Sequence, residues 1–329
     1  MSSHPLLLVT GAAGFIGARF VASCKQRGYS VVSVDSLPLF QSRAEHRGID
    51  FGELVDRSAL FEWLASRTPT LAGIVHLGAC TDTTELDVAY LQSTNLRYSQ
   101  QLWQYAAERR LPLVYAGSAA TYGDGSLGYD DDEALAPQLK PLNPYGQSKL
   151  DFDVWALQQE GAGASPPFWS GFKFFNAYGF GERHKGKMAS VVLHAFDQIR
   201  ATGSVRLLKS HRPDIPHGHQ KRDFIYVDDV VNGLHFALKK PIRRGIFNLG
   251  TGQARTFLDL ARGVFHELGR PEAITFIDTP VEIRERYQYF TEARMERFRK
   301  EGYQTPFTSL EQGIHLYVQD LLRHARGEQ

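Results

Sequence analysis

The chain has 329 residues, 43% of them hydrophobic, which is enough for a sizeable core and for one large α/β unit or two modest domains. Lys and Arg total 37 against 36 Asp and Glu, a net charge of +1, so no whole-chain field draws in a polyanion or an anionic membrane. Two cysteines (Cys24 and Cys80), an apolar run before Thr10 too short for a signal peptide, and no stretch of ~20 apolar residues point to a cytoplasmic protein without nucleic-acid or membrane partners.

In chain order, Leu6–Thr10 reads as a buried strand and Phe15–Gly28 as a helix. Tyr29–Asp35, Ile74–Leu77 and Leu113–Ser118 are further strands. Val88–Arg110 keeps an apolar face at Tyr90, Leu91, Leu102, Tyr105 and Ala106 and is expected to be one long crossover helix. Pro144–Gln159 is another helix, with Pro in the first turn, where its missing N–H costs nothing. Trp169–Phe175 is a strand, and Phe224–Val227 and Ile246–Gly250 look like strands returning to the sheet. Continuous apolar strands alternating with helices predict a Rossmann-like, doubly wound parallel sheet covered on both faces. A smaller C-terminal α/β substrate domain is expected over its active edge. The division places the dinucleotide-binding domain at 1–174, with returning segments at about 222–250 and 286–294. The substrate domain takes about 175–221, 251–285 and 295–329.

Thr10-Gly11-Ala12-Ala13-Gly14-Phe15-Ile16-Gly17 lies between the first strand and first helix. Gly11 permits the tight turn, Gly14 lets backbone approach a pyrophosphate, and Gly17 lets the helix pack on the sheet. The helix N-terminus then faces the phosphates. Asp35, 18 residues past Gly17 at the end of the second strand, is placed to accept from an adenosine ribose hydroxyl. These residues point to dinucleotide binding. Asp35 repels a 2′-phosphate and favours NAD; Arg43, Arg47 and Arg57, if they fold over, favour NADP.

Tyr145 and Lys149, in Asn-Pro-Tyr-Gly-Gln-Ser-Lys, share one helix face. A phenol is a poor base at neutral pH, and a neighbouring ammonium together with a cationic nicotinamide favours the phenolate. Lys149 also suits the nicotinamide ribose. Ser118, at a strand's carboxyl end, suits a substrate oxygen. His211, His217 and His219 have no accompanying carboxylate or Cys cluster, so no metal site is expected.

The glycine loop, Ser118 and Tyr145-x-x-x-Lys149, in that order, resemble the extended short-chain dehydrogenase/reductases that act on nucleotide sugars. Further blocks make the resemblance specific: Ser118-Ala-Ala-Thr-Tyr-Gly123, Phe175-Asn-Ala-Tyr-Gly179, His184-Lys-Gly-Lys-Met-Ala-Ser190, Lys221-Arg-Asp-Phe224 and Arg286-Tyr-Gln-Tyr-Phe-Thr291. Together they resemble the ADP-glyceromanno-heptose 6-epimerase family over nearly the whole chain. The resemblance implies inversion at C6 of an ADP-heptose used in lipopolysaccharide cores, through a transient 6-ketone. It implies one tightly bound NADP or NAD per subunit, and association into a homo-oligomer.

From residue chemistry alone Lys185 reads as an ion-pair partner of a diphosphate; the resemblance makes it the second acid/base group opposite Tyr145. Burial and the nearby cations Lys187 and Arg183 are expected to lower its pKa. The resemblance also places Phe15, Ile16, Ser36, Arg57, Leu77, Gly78, Ala79, Cys80, Asn95, Ala177 and Lys185 at the cofactor. It places Ser118, Asn176, Lys187, His194, Leu208, Arg222 and Tyr287 at the substrate, with Arg222 on the diphosphate. Against the family pattern, the loop Ser210–Lys221 is long, and Ser42 stands where some relatives carry a Lys near the adenosine phosphate. A 4,6-dehydratase needs an acid and a base just after the strand-end hydroxyl, where this chain has Ala119 and Ala120. A UDP-hexose 4-epimerase is the alternative on the same fold; a nucleotide sensor has no use for Tyr145 and Lys149 together.

Overall fold

Runs of Leu, Val, Ile and Phe too short for helices build most of the sheet in the computed structural model, which describes residues 4–239, 244–284 and 287–327. The strands are β1 (Leu6–Thr10), β2 (Ser30–Asp35), β3 (Glu53–Asp56), β4 (Gly73–His76), β5 (Leu113–Ser118) and β6 (Trp169–Phe174). They continue as β7 (Asn176–Tyr178), β8 (Val205–Leu208), β9 (Lys221–Tyr226), β10 (Gly245–Leu249), β11 (Ala254–Thr256) and β12 (Ile274–Ile277).

Seven of them form one parallel sheet in the order β10-β6-β5-β4-β1-β2-β3. The order reverses between β1 and β4, and the crevice beyond the carboxyl ends of those strands is where open parallel sheets take ligands. Alternate residues of β1 serve opposite faces. Leu7 and Val9 pack with Phe20, Val230 and Leu234 on one side, and Leu8 with Leu64, Leu102 and Trp103 on the other.

Three expectations are corrected. The run Phe224–Val227 does not return to the large sheet: β9 pairs in parallel with β7 and antiparallel with β11 in a separate three-stranded sheet. Only β10 rejoins the main sheet, at its edge. The unanticipated β3 forms the opposite edge; three of its four side chains are at least partly exposed, so it lacks the apolar run that marks an inner strand. The segment Val88–Arg110 is not one uniform helix, for α-helical turns at Val88–Leu91 and Tyr98–Glu108 flank a π-helical stretch, Gln92–Arg97. Tyr90, expected on its buried face, is exposed, whereas Leu91, Leu102 and Ala106 are buried.

A third core lies in the C-terminal half, where Val192, Phe196, Leu260, Phe265, Ile314 and Tyr317 close over Tyr178 and Tyr226. Buried Asp223, on β9, ties this half to the turn after β10 and to Ala293 by accepting the N–H groups of Thr251, Gly252 and Ala293 at 2.7–3.0 Å. Among the described residues, no helix is long and apolar enough to cross a membrane. Residue 286, which opens the last expected returning segment, lies outside the described residues.

Candidate active site

A cleft of about 850 Å³ runs along the carboxyl ends of β1, β2, β4 and β5 and under the C-terminal segments. Its floor is the glycine turn. Gly11 has φ +66°, and a Cβ there would meet Gly78 N at 2.6 Å. A Cβ on Gly17 would meet the Gly11 carbonyl at 2.0 Å. The turn is therefore a cradle of bare backbone with a helix N-terminus behind it, as a pyrophosphate needs. Asp35 accepts from Ala13 N at 3.1 Å and Ser36 N at 2.8 Å, so the expected ribose acceptor also fastens the loop to β2. Phe15, Ile16, Arg43 and Arg57 line the cleft beside it, whereas Ser36 and Arg47 do not. Alanine gains about 1 kcal/mol over glycine inside a helix, yet contact at 2.0 Å forces the loop to move. Gly17→Ala is therefore expected to weaken nicotinamide dinucleotide binding at least tenfold with helix content unchanged, as fluorescence titration and circular dichroism would show.

Leu77, Gly78, Ala79 and Cys80 form the wall beyond β4. Asn95 is not in that wall but behind it: its amide accepts from Cys80 N at 2.8 Å and donates to Cys80 O at 3.0 Å. The π-helical turn places Asn95 there, an instance of π geometry at a site. A second brace begins at Gly78 N, which donates to Thr10 Oγ1 at 3.2 Å. The Thr10 hydroxyl meets His76 Nδ1 at 2.6 Å, and His76 Nε2 meets Ser99 Oγ at 2.8 Å. Because Ser99 spends its proton on the Asn95 carbonyl, Nε2 must donate and Nδ1 accept. Burial, then Lys149, pushes His76 down to about 3, so it stays neutral.

Asn143 accepts from Gly146 N at 2.7 Å and caps the helix Pro144–Gly161. One turn of that helix brings Tyr145 and Lys149 to the cleft beside Ser118. Burial raises the Tyr145 phenol, and its hydrogen bond with Ser118 pulls it partly back. Lys149 is drawn down to about 8 by burial, and its ammonium donates to the Ala116 carbonyl at 2.8 Å. The expectation that Lys149 lowers the phenol is thus corrected: Lys149 is turned to backbone, and Ser118 is the group that favours the phenolate.

Across the cleft, the short helix Arg183–Met188 presents Lys185. Burial lowers its pKa as expected, but the expected help from cations is absent. Arg183 is paired with Asp197 at 2.8 Å, and Lys187 is exposed and outside the cleft wall. The largest opposing influence is buried Glu182, 3.9 Å from the Lys185 nitrogen. Asn176 and Ala177, on β7, line the cleft between Tyr145 and Lys185 in the chain; His194 and Leu208 do not line it.

At the far end Arg222 is buried between the rings of Phe257 and Tyr287, 5.6 and 5.3 Å from their centres. Its guanidinium donates to the carbonyls of Lys221 and Gln288. A planar cation held this way offers its remaining N–H groups to phosphate oxygens. Arg222→Ala is expected to raise KM for the sugar nucleotide by ten- to a hundredfold with a smaller change in kcat, in steady-state kinetics. Arg286, which opens the last sequence block, lies outside the described residues. His211 and His217 fasten their loop, accepting N–H from Thr279 at 3.2 Å and Ser210 at 3.1 Å. Among the described residues no group of three His, Cys, Asp or Glu is placed to hold a metal.

The NAD dependent epimerase/dehydratase family matches residues 7–250. An ADP-L-glycero-D-manno-heptose-6-epimerase of Fusobacterium nucleatum is 41% identical over 96% of this chain and 98% of its own. One from Nitratidesulfovibrio vulgaris is 42% identical over 97% and 99%. The chain belongs to this 6-epimerase family. The crystal structure of the Helicobacter pylori 6-epimerase superposes with TM-score 0.79 at 25% identity, covering 97% of each chain. The fold is shared with a Thermus thermophilus UDP-glucose 4-epimerase solved in complex with NAD, at TM-score 0.75 and 22% identity over 98% and 99% of the two chains.

Several groups of this 6-epimerase chain were not legible beforehand. Gln288, Phe224, Phe257 and Met188 line the cleft; Met188, Phe224 and Gln288 fall inside the sequence blocks above without being marked as site residues, and Phe257, the first residue of a helix, lies outside every block. Glu182 sits three residues ahead of Lys185, a spacing that marks a shared helical face. Its full burial, with Ser190 N and Oγ donating to it at 2.8 and 2.5 Å, is a tertiary fact.

Proposed function

We propose that this chain interconverts ADP-D-glycero-D-manno-heptose and ADP-L-glycero-D-manno-heptose at C6, with Tyr145 and Lys185 as the two acid/base groups. The observation that carries the reading is that these two line one cleft from different elements, beyond the edge where the glycine cradle ends. Inversion through a ketone takes the proton from the oxygen in one orientation and returns it in the other, so acid/base groups on two sides of C6 can serve one orientation each. Bound nicotinamide dinucleotide supplies the temporary removal of a hydride from C6 and its return to the other face. Tyr145 moves the hydroxyl proton on one face, with Ser118 holding the same oxygen. Lys185, its ammonium disfavoured by burial, moves the proton on the other. Lys149 orients the nicotinamide ribose, Arg222 binds the diphosphate, and Asn176 and Tyr287 position the sugar. Ala119 and Ala120 beside Ser118 leave no acid or base for dehydration.

In this reading residues 1–174 hold one tightly bound cofactor, and segments of the C-terminal half hold the sugar nucleotide, in a cytoplasmic homo-oligomer. Asp35 favours NAD; Arg43, within reach of the Ala13 carbonyl, and Arg57 favour NADP. Mass spectrometry of the nucleotide carried through purification distinguishes the two. The test of the reaction is a heptose deuterated at C6, converted in ordinary water without added nucleotide. The product is expected to keep its deuterium, with no net reduced nicotinamide formed. Loss of the label or accumulation of reduced cofactor would overturn the reading.

A further inference from the structure

The helix that presents Tyr145 and Lys149 carries, one turn further on, a buried carboxylate that the proton chemistry leaves unused. Asp153 Oδ2 accepts from Lys173 Nζ at 2.7 Å, and its Oδ1 accepts from the Tyr115 hydroxyl at 3.0 Å. Lys173, on β6, is likewise buried. Its ammonium also donates to Thr121 Oγ1 at 2.7 Å and lies 5.1 Å from the centre of the Tyr122 ring. Thr121 in turn donates to the Ser118 carbonyl at 2.8 Å. A buried ion pair is a weak source of stability, since desolvation offsets its attraction. What distinguishes this one is its place, one layer behind Ser118, Tyr145 and Lys149.

We propose that the Lys173–Asp153 pair is a positioning and charge-balancing element of the epimerase site, bracing Ser118 through Thr121 and limiting the negative charge behind Lys149 and Tyr145. This deepens the reading above and rests on it. Asp153 lies four residues after Lys149 and so on the same helix face. Its charge already favours the Lys149 ammonium and opposes a Tyr145 phenolate with Lys173 in place, and without Lys173 both would hold their protons to still higher pH. Lys173, at contact distance, offsets part of that charge.

The other groups packed around the row add no charge. His76 on β4 is kept neutral by burial, the Cys80 thiol is raised by burial, and the Tyr115 and Tyr122 phenols are raised well above their ordinary range. Glu133 and Asp131 act on those two phenols and not on Lys149.

The test compares pH–rate profiles of the holoenzyme with the titration of Lys149 followed by isotope-labelled lysine NMR, its signal assigned by loss in Lys149→Met. Lys173→Met is expected to move the Lys149 titration and the matching limb of the profile up by roughly one pH unit. Asp153→Asn should move both down, and the double variant Lys173→Met/Asp153→Asn should return them to the wild-type position. Lys173→Arg, which keeps the charge, should leave them in place. Thr121→Val keeps both charges and should lower kcat without moving either.

A pair that matters only for folding would reduce activity in every variant with no displacement, and that result overturns the proposal. If one single variant fails to fold, the other decides, because a folded Lys173→Met or Asp153→Asn without a displaced Lys149 titration overturns the proposal; a displaced titration in the double variant overturns it as well. Tyr145→Phe separates the two levels. Near-normal turnover in Tyr145→Phe would sink the underlying reading, whereas an inactive Tyr145→Phe with an undisplaced Lys173→Met sinks only this inference.

Discussion

Tyr145→Phe is expected to slow epimerisation by about 10²–10⁴-fold, the range for removal of a positioned acid/base group. The substitution deletes one oxygen. The ring remains buried against its neighbours, and the helix keeps its Asn143 cap, so the fold and the nucleotide affinity should persist. The loss should fall on kcat, because the phenol is needed where the proton moves and contributes little to holding the substrate. The phenol is raised by burial and relieved only by Ser118, so Ser118→Ala should shift the remaining Tyr145-dependent limb of the pH profile upward. Steady-state kinetics across pH, with bound nucleotide quantified after denaturation, would check both expectations. A Tyr145→Phe enzyme within tenfold of wild type would remove Tyr145 from the proton chemistry.

Lys185→Met should be as damaging as Tyr145→Phe, and in a complementary way. Methionine keeps an unbranched side chain of similar length over the Phe15 ring, where the Lys185 nitrogen lies 5.4 Å from the ring centre. Each single variant retains the acid/base group of one face only. In single turnover, each should give a transient change in nicotinamide absorbance with just one of the two heptose epimers, and the two variants should respond to opposite epimers. If Lys185 instead only pairs with the diphosphate, Lys185→Met would raise KM and leave both epimers reactive. The sign of the pH effect follows from burial. Lys185 gives up its proton at lower pH than a solvated lysine, so the neutral amine is available nearer neutrality, with Glu182 holding it back. Glu182→Gln should therefore move the Lys185-dependent limb to lower pH.

The strands that carry the cofactor edge were legible because their burial is continuous. Leu6–Thr10 and Leu113–Ser118 were placed to the residue, and Asp35 was placed at the end of β2. Local chemistry made the glycine turn and the Tyr145–Lys149 helix equally plain, since each rests on spacing within a few residues. Edge strand β3, with mixed exposure, was not legible, and neither was the π-helical turn around Asn95, because no periodicity in Gln92–Arg97 announces an extra residue in the turn. The separate sheet of β7, β9 and β11 escaped for a related reason: a short apolar run says that it is a strand, not which strand it pairs with.

By itself the sequence determined the dinucleotide cradle, the row Ser118, Tyr145 and Lys149, and the blocks that place the chain among the 6-epimerases. All are set by neighbours along the chain, through backbone clashes and helical spacing. Only the tertiary structure decided which partners set the charge of those groups. Lys149 turns to Ala116, Glu182 rather than a cation faces Lys185, and Lys173 meets Asp153 behind the row. The physical reason is that a proton's affinity depends on burial and on charges and hydrogen-bond partners within a few ångströms, and packing brings those groups from residues 20 to 33 positions away as readily as from the next turn.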